Sequence, residues 1–375
     1  MRIAQVAPLV ESVPPRKYGG TERVIATLTA ELVRMGHDVT LYASGDSRTE
    51  ARLIPLVERA LWKSDAPRNE TLLHLAELGR VVRDARRYDV VHSHLDAMAF
   101  SFGRQSPTPF VHTLHGRLDL PELQPFFQQF DDVPVVSISD SQRRPIPHAN
   151  WMGRVYNGVD TARLPFGAGR GGYLAFVGRI SPEKGLVEAI DVALKIGMPL
   201  KIAARLPLDE IDNPWVALDW AYYRDEVKPR LASSLIEFVG EVDDVEKGEL
   251  LQDAAGLLFP INWPEPFGLV MVEALACGTP IIARSMGSTP EVIRHGETGF
   301  LCSTVEEMVD ACRQLESIDR AACRQDAEER FSAHAMARGY LDVYQRVCVA
   351  ALPEPALAPS LRLLRPTHEP TALPV

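Results

Sequence analysis

Cysteine is scarce in this chain of 375 residues, with five at positions 277, 302, 312, 323 and 348. The number is odd, no two form a C-x-x-C pair and none has metal-site spacing. A disulfide framework and a zinc site are therefore not expected, and a reducing, cytoplasmic setting is. No run of 18 apolar residues occurs, so no membrane-spanning helix is expected. The opening "MRIAQVAPLVES" is too short in its apolar part for a secretory signal and reads as a first strand. A basic stripe is also missing. The formal net charge is -10, and residues 1–165 carry 20 Lys+Arg against 19 Asp+Glu, the remainder 20 against 31. That balance argues against general nucleic-acid binding but leaves room for a local phosphate site. "KYGGTER", after the first strand, is not G-x-G-x-x-G, which argues against a dinucleotide dehydrogenase.

What is present is an alternation of strands and helices. The chain is long for one core, so two domains are expected. "MRIAQVAP" runs apolar, as a buried parallel strand does. In "GGTERVIATLTAELVRMGHDVTLYAS", Thr21 can cap a helix on which Val24, Ile25, Leu28, Leu32 and Met35 share a face, and Gly36 ends it. "DVTLYAS" then completes a βαβ unit, the mark of a parallel sheet. "YDVVHSH", "PFVHTLHG" and "PVVSISDSQ" are further strands. After "ARLPFGAGRGG" (residues 162–172), a Gly-rich break suited to a hinge, a second series begins: "YLAFVGR", "LKIAAR", "IEFVGEV", "GLLFPI" and "TPIIAR". Two Rossmann-like α/β domains, 1–165 and 166–325, are expected to flank a cleft. Residues 326–350 have helical periodicity, and the Pro- and Ala-rich 351–375 is expected to be disordered. Arg80, Arg83, Arg86 and Arg87 form a basic helical cluster without an adjoining apolar face. It reads as a solvated surface and gives no support to membrane-surface contact.

Ligands of open α/β sheets bind beyond the carboxyl ends of the strands. After "YLAFVGR" comes "ISPEKG". Ser181 can cap a helix, Pro182 suits its first position, and Arg179 and Lys184 flank the turn. Two cations at a helix N-terminus oppose its dipole unless a polyanion lies there. A diphosphate fits, bound by Arg in bidentate fashion, by Lys as a point charge and by backbone N–H groups. Two solvated surface cations would leave the same pattern. After "GLLFPI" comes "NWPEPFGLVMVEALACG". Pro264 and Pro266 hold Glu265 just ahead of a helix whose first turn is expected at Phe267, Gly268, Leu269 and Val270. Gly268 lets a ligand approach the backbone. Glu273, eight positions after Glu265, lies in an apolar run, and a buried carboxylate needs partners such as sugar hydroxyls.

Glu-x7-Glu within "PEPFGLVMVEALACGTPIIA" resembles the signature of glycosyltransferase family 4, retaining enzymes of the GT-B fold. "YGGTERVIATLTAELVRMGHDVTLYAS", "YDVVHSH", "VHTLHG", "NGVD", "VGRISPEKG" and "GSTPEVIRHGETGFL" are similar to the family's pattern in the same order. The resemblance implies a hexosyltransferase whose donor is a UDP- or GDP-linked sugar. Its acceptor would be a small molecule, glycan or lipid-linked hydroxyl. Residues 1–165 would be the acceptor domain and 166–325 the donor domain, with 326–350 crossing back onto the first. Arg179 and Lys184 would bind the diphosphate, Glu265 the donor sugar and Glu273 the ribose. The backbone at Phe267, Gly268 and Leu269 would contact sugar and phosphate. His115, in "TLHG", would lie beside the donor sugar. Gly19 and Gly20 would face the cleft near acceptor and phosphate. Asp131-Asp132 and Asp243-Asp244 are not a DxD motif at a strand end, so no metal is expected. A sugar-nucleotide 2-epimerase of similar fold and a non-catalytic nucleotide-sugar-binding subunit are the alternative readings.

Overall fold

The structure is a computed structural model that describes residues 1–17, 19–63, 69–207 and 214–351. The tail expected to be disordered lies, but for Ala351, outside the described residues.

Two parallel sheets organise the chain. The first contains β1 (Arg2–Val6), β2 (Asp38–Ala43), β3 (Arg52–Pro55), β4 (Val90–Ser93), β5 (Phe110–Thr113), β6 (Val135–Ser137) and β7 (Trp151–Arg154). Their order is β3-β2-β1-β4-β5-β6-β7. The second contains β8 (Leu174–Val177), β9 (Leu200–Ala203), β10 (Ile236–Gly240), β11 (Gly256–Phe259), β12 (Ile281–Arg284) and β13 (Gly299–Cys302). Their order is β10-β9-β8-β11-β12-β13. Central strands such as β1 and β11 are apolar and buried because helices cover both faces, as parallel sheets require. Strand order reverses between β1 and β4 and again between β8 and β11, so each sheet has a crevice beyond its strand ends at that point.

The helix Gly20–Arg34 buries Val24, Ile25, Leu28 and Leu32, and Gly36 follows it at φ 85°. It starts earlier than a Thr21 cap implies: Gly19 occupies the cap position at φ 149°. Glycine is needed there, since a Cβ on Gly19 would stand 2.7 Å from the Pro15 Cβ.

The helical run near the C-terminus is two helices, Arg320–Arg330 and Ala333–Ala350, with Ser332 capping the second. The first buries Cys323 and Ala327 in the core of the second domain. The second buries Met336, Tyr340, Val343, Tyr344 and Val347 against Ile3, Val24, Leu28 and Val90 in the first. At the crossing, Val159 donates to the Phe331 carbonyl at 2.9 Å and accepts from Ala333 N–H at 2.9 Å, so the outgoing and returning strands of chain are bonded to each other.

The Gly-rich segment expected to act as a hinge is strapped to the second domain. Gly167, Gly169 and Gly171 donate to the carbonyls of Cys277, Gln252 and Asp253 at 3.2, 3.2 and 2.9 Å. A Cβ on Gly167 would lie 2.2 Å from the Gln252 carbonyl oxygen. These glycines serve close backbone packing, and the chain passes between domains nearer Val159 and Phe331. Among the described residues no helix is long and apolar enough to cross a membrane. In the Arg80–Arg87 cluster, Arg80 and Arg87 lie 2.7 and 3.7 Å from Asp84.

Candidate active site in the interdomain cleft

The two crevices face each other across one open cleft. Lys17, Gly19, Gly20 and Arg23, after β1, line one wall. Arg179, Lys184, Lys247, Glu265, Gly268, Leu269 and Glu273 line the other. Residues separated by some 250 positions are thereby brought together.

Lys184 is held by a local break. Pro182–Lys184 forms a single 3-10 turn, and Gly185, at φ 70°, separates it from the helix Leu186–Ile196. Ser181 stands at the cap of this single turn without the expected side-chain bond, and its carbonyl accepts from Lys184 N–H at 3.1 Å. Gly185 also passes so close to Pro260 that a Cβ would lie 2.0 Å from its carbonyl oxygen, which joins the loops after β8 and β11. Lys184 Nζ then lies 2.5 Å from Glu265 Oε2 and 5.2 Å from the centre of the Trp263 ring. Arg179 pairs with Glu183, and its Nε is 3.6 Å from Asp219 Oδ2. Both expected phosphate cations thus face carboxylates.

Glu265 is buried between its two prolines and anchored through its backbone: its carbonyl accepts from Ser288 N–H at 3.0 Å. Gly287 permits that approach, since a Cβ there would come 2.4 Å from the Glu265 nitrogen. The following helix spans Leu269–Ala276, two residues later than its sequence suggests. Gly268, at φ 77°, occupies the cap position and makes no side-chain cap bond. The first turn therefore presents N–H groups that no cap satisfies. Phe267 lies behind the wall. Its ring packs 5.9 Å from Tyr156 and 6.0 Å from Phe331, and its carbonyl accepts from Ser288 Oγ at 2.7 Å.

Glu273, one helical turn deeper, has a partner that sequence reasoning missed. Lys247 Nζ lies 2.6 Å from Glu273 Oε1 and 3.1 Å from Asp244 Oδ1. Asp244 pairs in turn with Arg23 across the cleft. The demand of a buried carboxylate for a partner was legible. Which lysine would supply it was not, because Lys247 belongs to a helix (Asp244–Asp253) 26 residues upstream.

His115 stands apart from the residues lining the cleft. It follows β5 half-buried, its N–H bonded to Asp96 Oδ1 at 2.8 Å and its Nε2 2.9 Å from His94 Nδ1. Burial pushes its imidazole pKa down to about 4. The loop it opens reaches the other domain: the Arg117 guanidinium lies 5.8 Å from the Trp263 ring, two residues from Glu265.

Residues 18–163 match the family "Glycosyltransferase Family 4", and residues 168–331 match "Glycosyl transferases group 1". The chain belongs to this family of glycosyltransferases and has their GT-B fold. It is 26% identical to glycogen synthase of Mycobacterium tuberculosis over 346 residues, 77% of this chain and 80% of that protein. It is 25% identical to alpha-maltose-1-phosphate synthase of the same organism over 405 residues, 92% of this chain and 100% of the other. Anabaena HepE in complex with UDP and glucose has the same fold: TM-score 0.69 at 18% identity, over 92% of this chain and 99% of that one.

Proposed function

We propose that this glycosyltransferase moves a hexose from a UDP- or GDP-linked donor to a hydroxyl of a small-molecule, glycan or lipid-linked acceptor, with retention and without a metal. The observation that carries the reading is the convergence, in one cleft, of Arg179 and Lys184 after β8 with Glu265 and Glu273 around the helix after β11, opposite Gly19 and Gly20. Residues 166–325 hold the donor and residues 1–165 the acceptor. Retention follows from the family's mode of front-face attack, in which a donor phosphate oxygen helps to take the acceptor proton.

The chemistry leaves a nucleoside diphosphate anion, so stabilising that charge is the main electrostatic task. Lys17, Arg23, Arg179, Lys184 and Lys247 all line the cleft, and this positive charge supports diphosphate departure without a metal. Arg179 and Lys184 bind the diphosphate, and the Lys184–Glu265 contact is exchanged for it when the donor enters. Glu265, released, accepts hydrogen bonds from the sugar. Glu273, held by Lys247, accepts from the ribose. The backbone of Phe267, Gly268 and Leu269 serves sugar and phosphate, and His115 lies beside the sugar. Five free cysteines, four of them buried, suit a reducing cytoplasm.

The test is a thermal-shift screen of UDP-, GDP- and ADP-linked hexoses, followed by nucleoside diphosphate release with and without EDTA and by the anomeric configuration of the product. A shift with a UDP or GDP sugar, release untouched by EDTA and a retained anomer are expected. An inverted product, or activity abolished by EDTA and restored by a divalent cation, would overturn the mechanism proposed here.

A further inference from the structure

The two domains are joined by a carboxylate as well as by the chain. Glu291 lies on the short helix Thr289–Val292, between β12 and β13 of the second domain. It is the glutamate of "GSTPEV", a stretch that none of the roles above uses. Its Oε2 accepts from Asp140 N–H and its Oε1 from Ser141 N–H, each at 2.7 Å. Both N–H groups open the helix Asp140–Arg143, which follows β6 in the first domain and is capped by Ser139. Such first-turn groups have no partner within their own helix. Oε2 also accepts at 3.1 Å from the hydroxyl of Tyr156, on the segment that leaves β7 for the second domain.

The same short helix is riveted to the loop that carries Glu265. Ser288, just before it, donates its N–H to the Glu265 carbonyl at 3.0 Å and its hydroxyl to the Phe267 carbonyl at 2.7 Å. The Ser288 carbonyl accepts from Glu291 and Val292 N–H at 2.9 and 3.1 Å. Thr289 Oγ1 donates to the Arg284 carbonyl at 2.7 Å, and Arg330 donates to the carbonyl of Glu291. Glu265 and Glu291 therefore belong to one block of the second domain. That block meets the first domain through backbone N–H groups, which have no rotamers to lose. On the opposite flank, beyond β1 and β10, the domains touch through flexible side chains: Arg23 with Asp244, and Arg205 over the Trp62 ring. Asp244 and Trp62 are exposed, and exposed ion pairs are screened and contribute little.

We propose that Glu291 is a positioning residue for the transfer: it registers the first domain against the Glu265 loop, so that Lys17, Gly19, Gly20 and Arg23 meet a donor held by the second domain. This rests on the reading that the donor lies in the cleft between them.

The joint can be altered from either side. Asp140 is the first helical position, where proline fits, and Ser139 before it is extended at φ -156° and ψ 165°, as a residue before proline must be. Asp140→Pro removes one N–H and puts ring carbons against the carboxylate. Asp140→Ala keeps the N–H and loses only the side chain. Spin labels on Arg59→Cys and Glu237→Cys, both exposed, read the separation of the domains by pulsed electron paramagnetic resonance in a Cys348→Ser background. Glu291→Ala and Asp140→Pro should broaden the distance distribution, and Asp140→Ala should not. UDP release from UDP-glucose, or GDP release from GDP-mannose where the donor screen selects guanosine, should slow about 10-fold in the first two variants, within the ~10² that a displacement of about 1 Å can cost. Affinity for free UDP or GDP should hold, since Arg179, Lys184 and Glu273 all belong to the second domain. The double variant should be little worse than either single one, because both break one joint. Melting temperatures check that each variant folds. Distances and turnover indifferent to Glu291→Ala would overturn the proposal. So would equal effects of Asp140→Ala and Asp140→Pro, or a matching loss of affinity for the free nucleotide. Arg179→Ala separates the two layers. Normal turnover in that variant removes the donor from this cleft whatever the labels show. Slow turnover there with normal turnover in Glu291→Ala refutes only the positioning.

Discussion

The strand ends of the two domains satisfy their polar groups in opposite ways. The second domain uses charge against charge: Lys184 on Glu265, Lys247 on Glu273 and Arg179 on Glu183. Below the first domain's strand ends the groups are neutral and deeply buried, a chain of Gln5, His92, His94, Thr113, Tyr340 and Tyr344. A buried ion pair gains little net stability, because desolvating both charges consumes most of the attraction. A ligand of matching charge can therefore replace one partner at small cost. A neutral network whose every member is bonded is rigid, and breaking one link leaves a buried polar group unpaired. On the proposed reading, the charged wall exchanges these partners for an anionic ligand. The neutral network lies beneath the cleft, whose first-domain lining is Lys17, Gly19, Gly20 and Arg23.

The largest effects should come from the exchangeable wall. Arg179→Ala or Lys184→Ala removes charge from where the leaving diphosphate develops its own, and loss of one such donor costs ~2.7–4 kcal/mol, a fall of roughly 10² to 10³ in turnover. Calorimetry should show weaker binding of the free nucleoside diphosphate as well. Either variant binding and turning over donor like the wild type would refute that residue's role.

The next effect separates the two glutamates. Glu265→Gln should lower turnover and leave the affinity for free nucleoside diphosphate nearly intact, because that ligand lacks the sugar. Glu273→Gln should weaken donor and free nucleoside diphosphate alike. A lost hydrogen bond to a charged group is worth ~1.5–3 kcal/mol, roughly 10- to 150-fold. Circular dichroism must first show that the Glu273 variant folds, since Lys247 loses its charged partner. The reverse pattern, with Glu265→Gln alone abolishing nucleotide binding, would turn the donor end for end.

The smallest effect belongs to the buried histidines of the first domain and shows in stability. His92 and His94 lie in that network, and His112 lies outside it with neither ring nitrogen hydrogen-bonded. Burial lowers the pKa values of His92 and His94 well below the ordinary value and that of His112 to about 3. The unfolded chain therefore takes up these protons first as pH falls through about 6.5. The stability contributed by neutral burial is complete above that pH and is lost on acidification towards the folded-state values. Each such histidine adds a slope of up to ~1.4 kcal/mol per pH unit. Urea midpoints measured from pH 7 to pH 5 should fall, and less steeply for His112→Gln. A slope unchanged by that substitution would show that His112 does not titrate on unfolding.

Much of this arrangement was legible in the sequence. The apolar runs that became β1, β2, β8 and β11 carry local signals, and the rule that ligands gather beyond strand ends pointed to "ISPEKG" and "WPEPFGLVMVE". β3, β7 and β13 were not singled out. β3 and β7 are short edge strands that are only partly buried, and so lack a continuous apolar run. Gly268 was read as an approach residue, and Gly185 was not singled out. Both have positive φ at a helix start, and a Cβ would come 2.0 Å from the Pro260 carbonyl oxygen at Gly185 and 2.8 Å from Met271 Cε at Gly268.

The sequence by itself determined two βα series, the residue types proposed to meet the diphosphate and the sugar, and the family to which the chain belongs. The first two depend on neighbours within a helical turn or a strand, and the third on the order of such motifs along the chain. Only the tertiary structure decided that Lys247 holds Glu273, that Arg23 reaches Asp244 across the cleft, that the Gly-rich segment is pinned, and that Tyr344 bonds Gln5. The last contact spans 339 positions. Local periodicity carries no information about such pairs, because they form only when two sheets and a returning helix close around one another, and hydrogen-bond geometry then selects partners by tenths of an ångström.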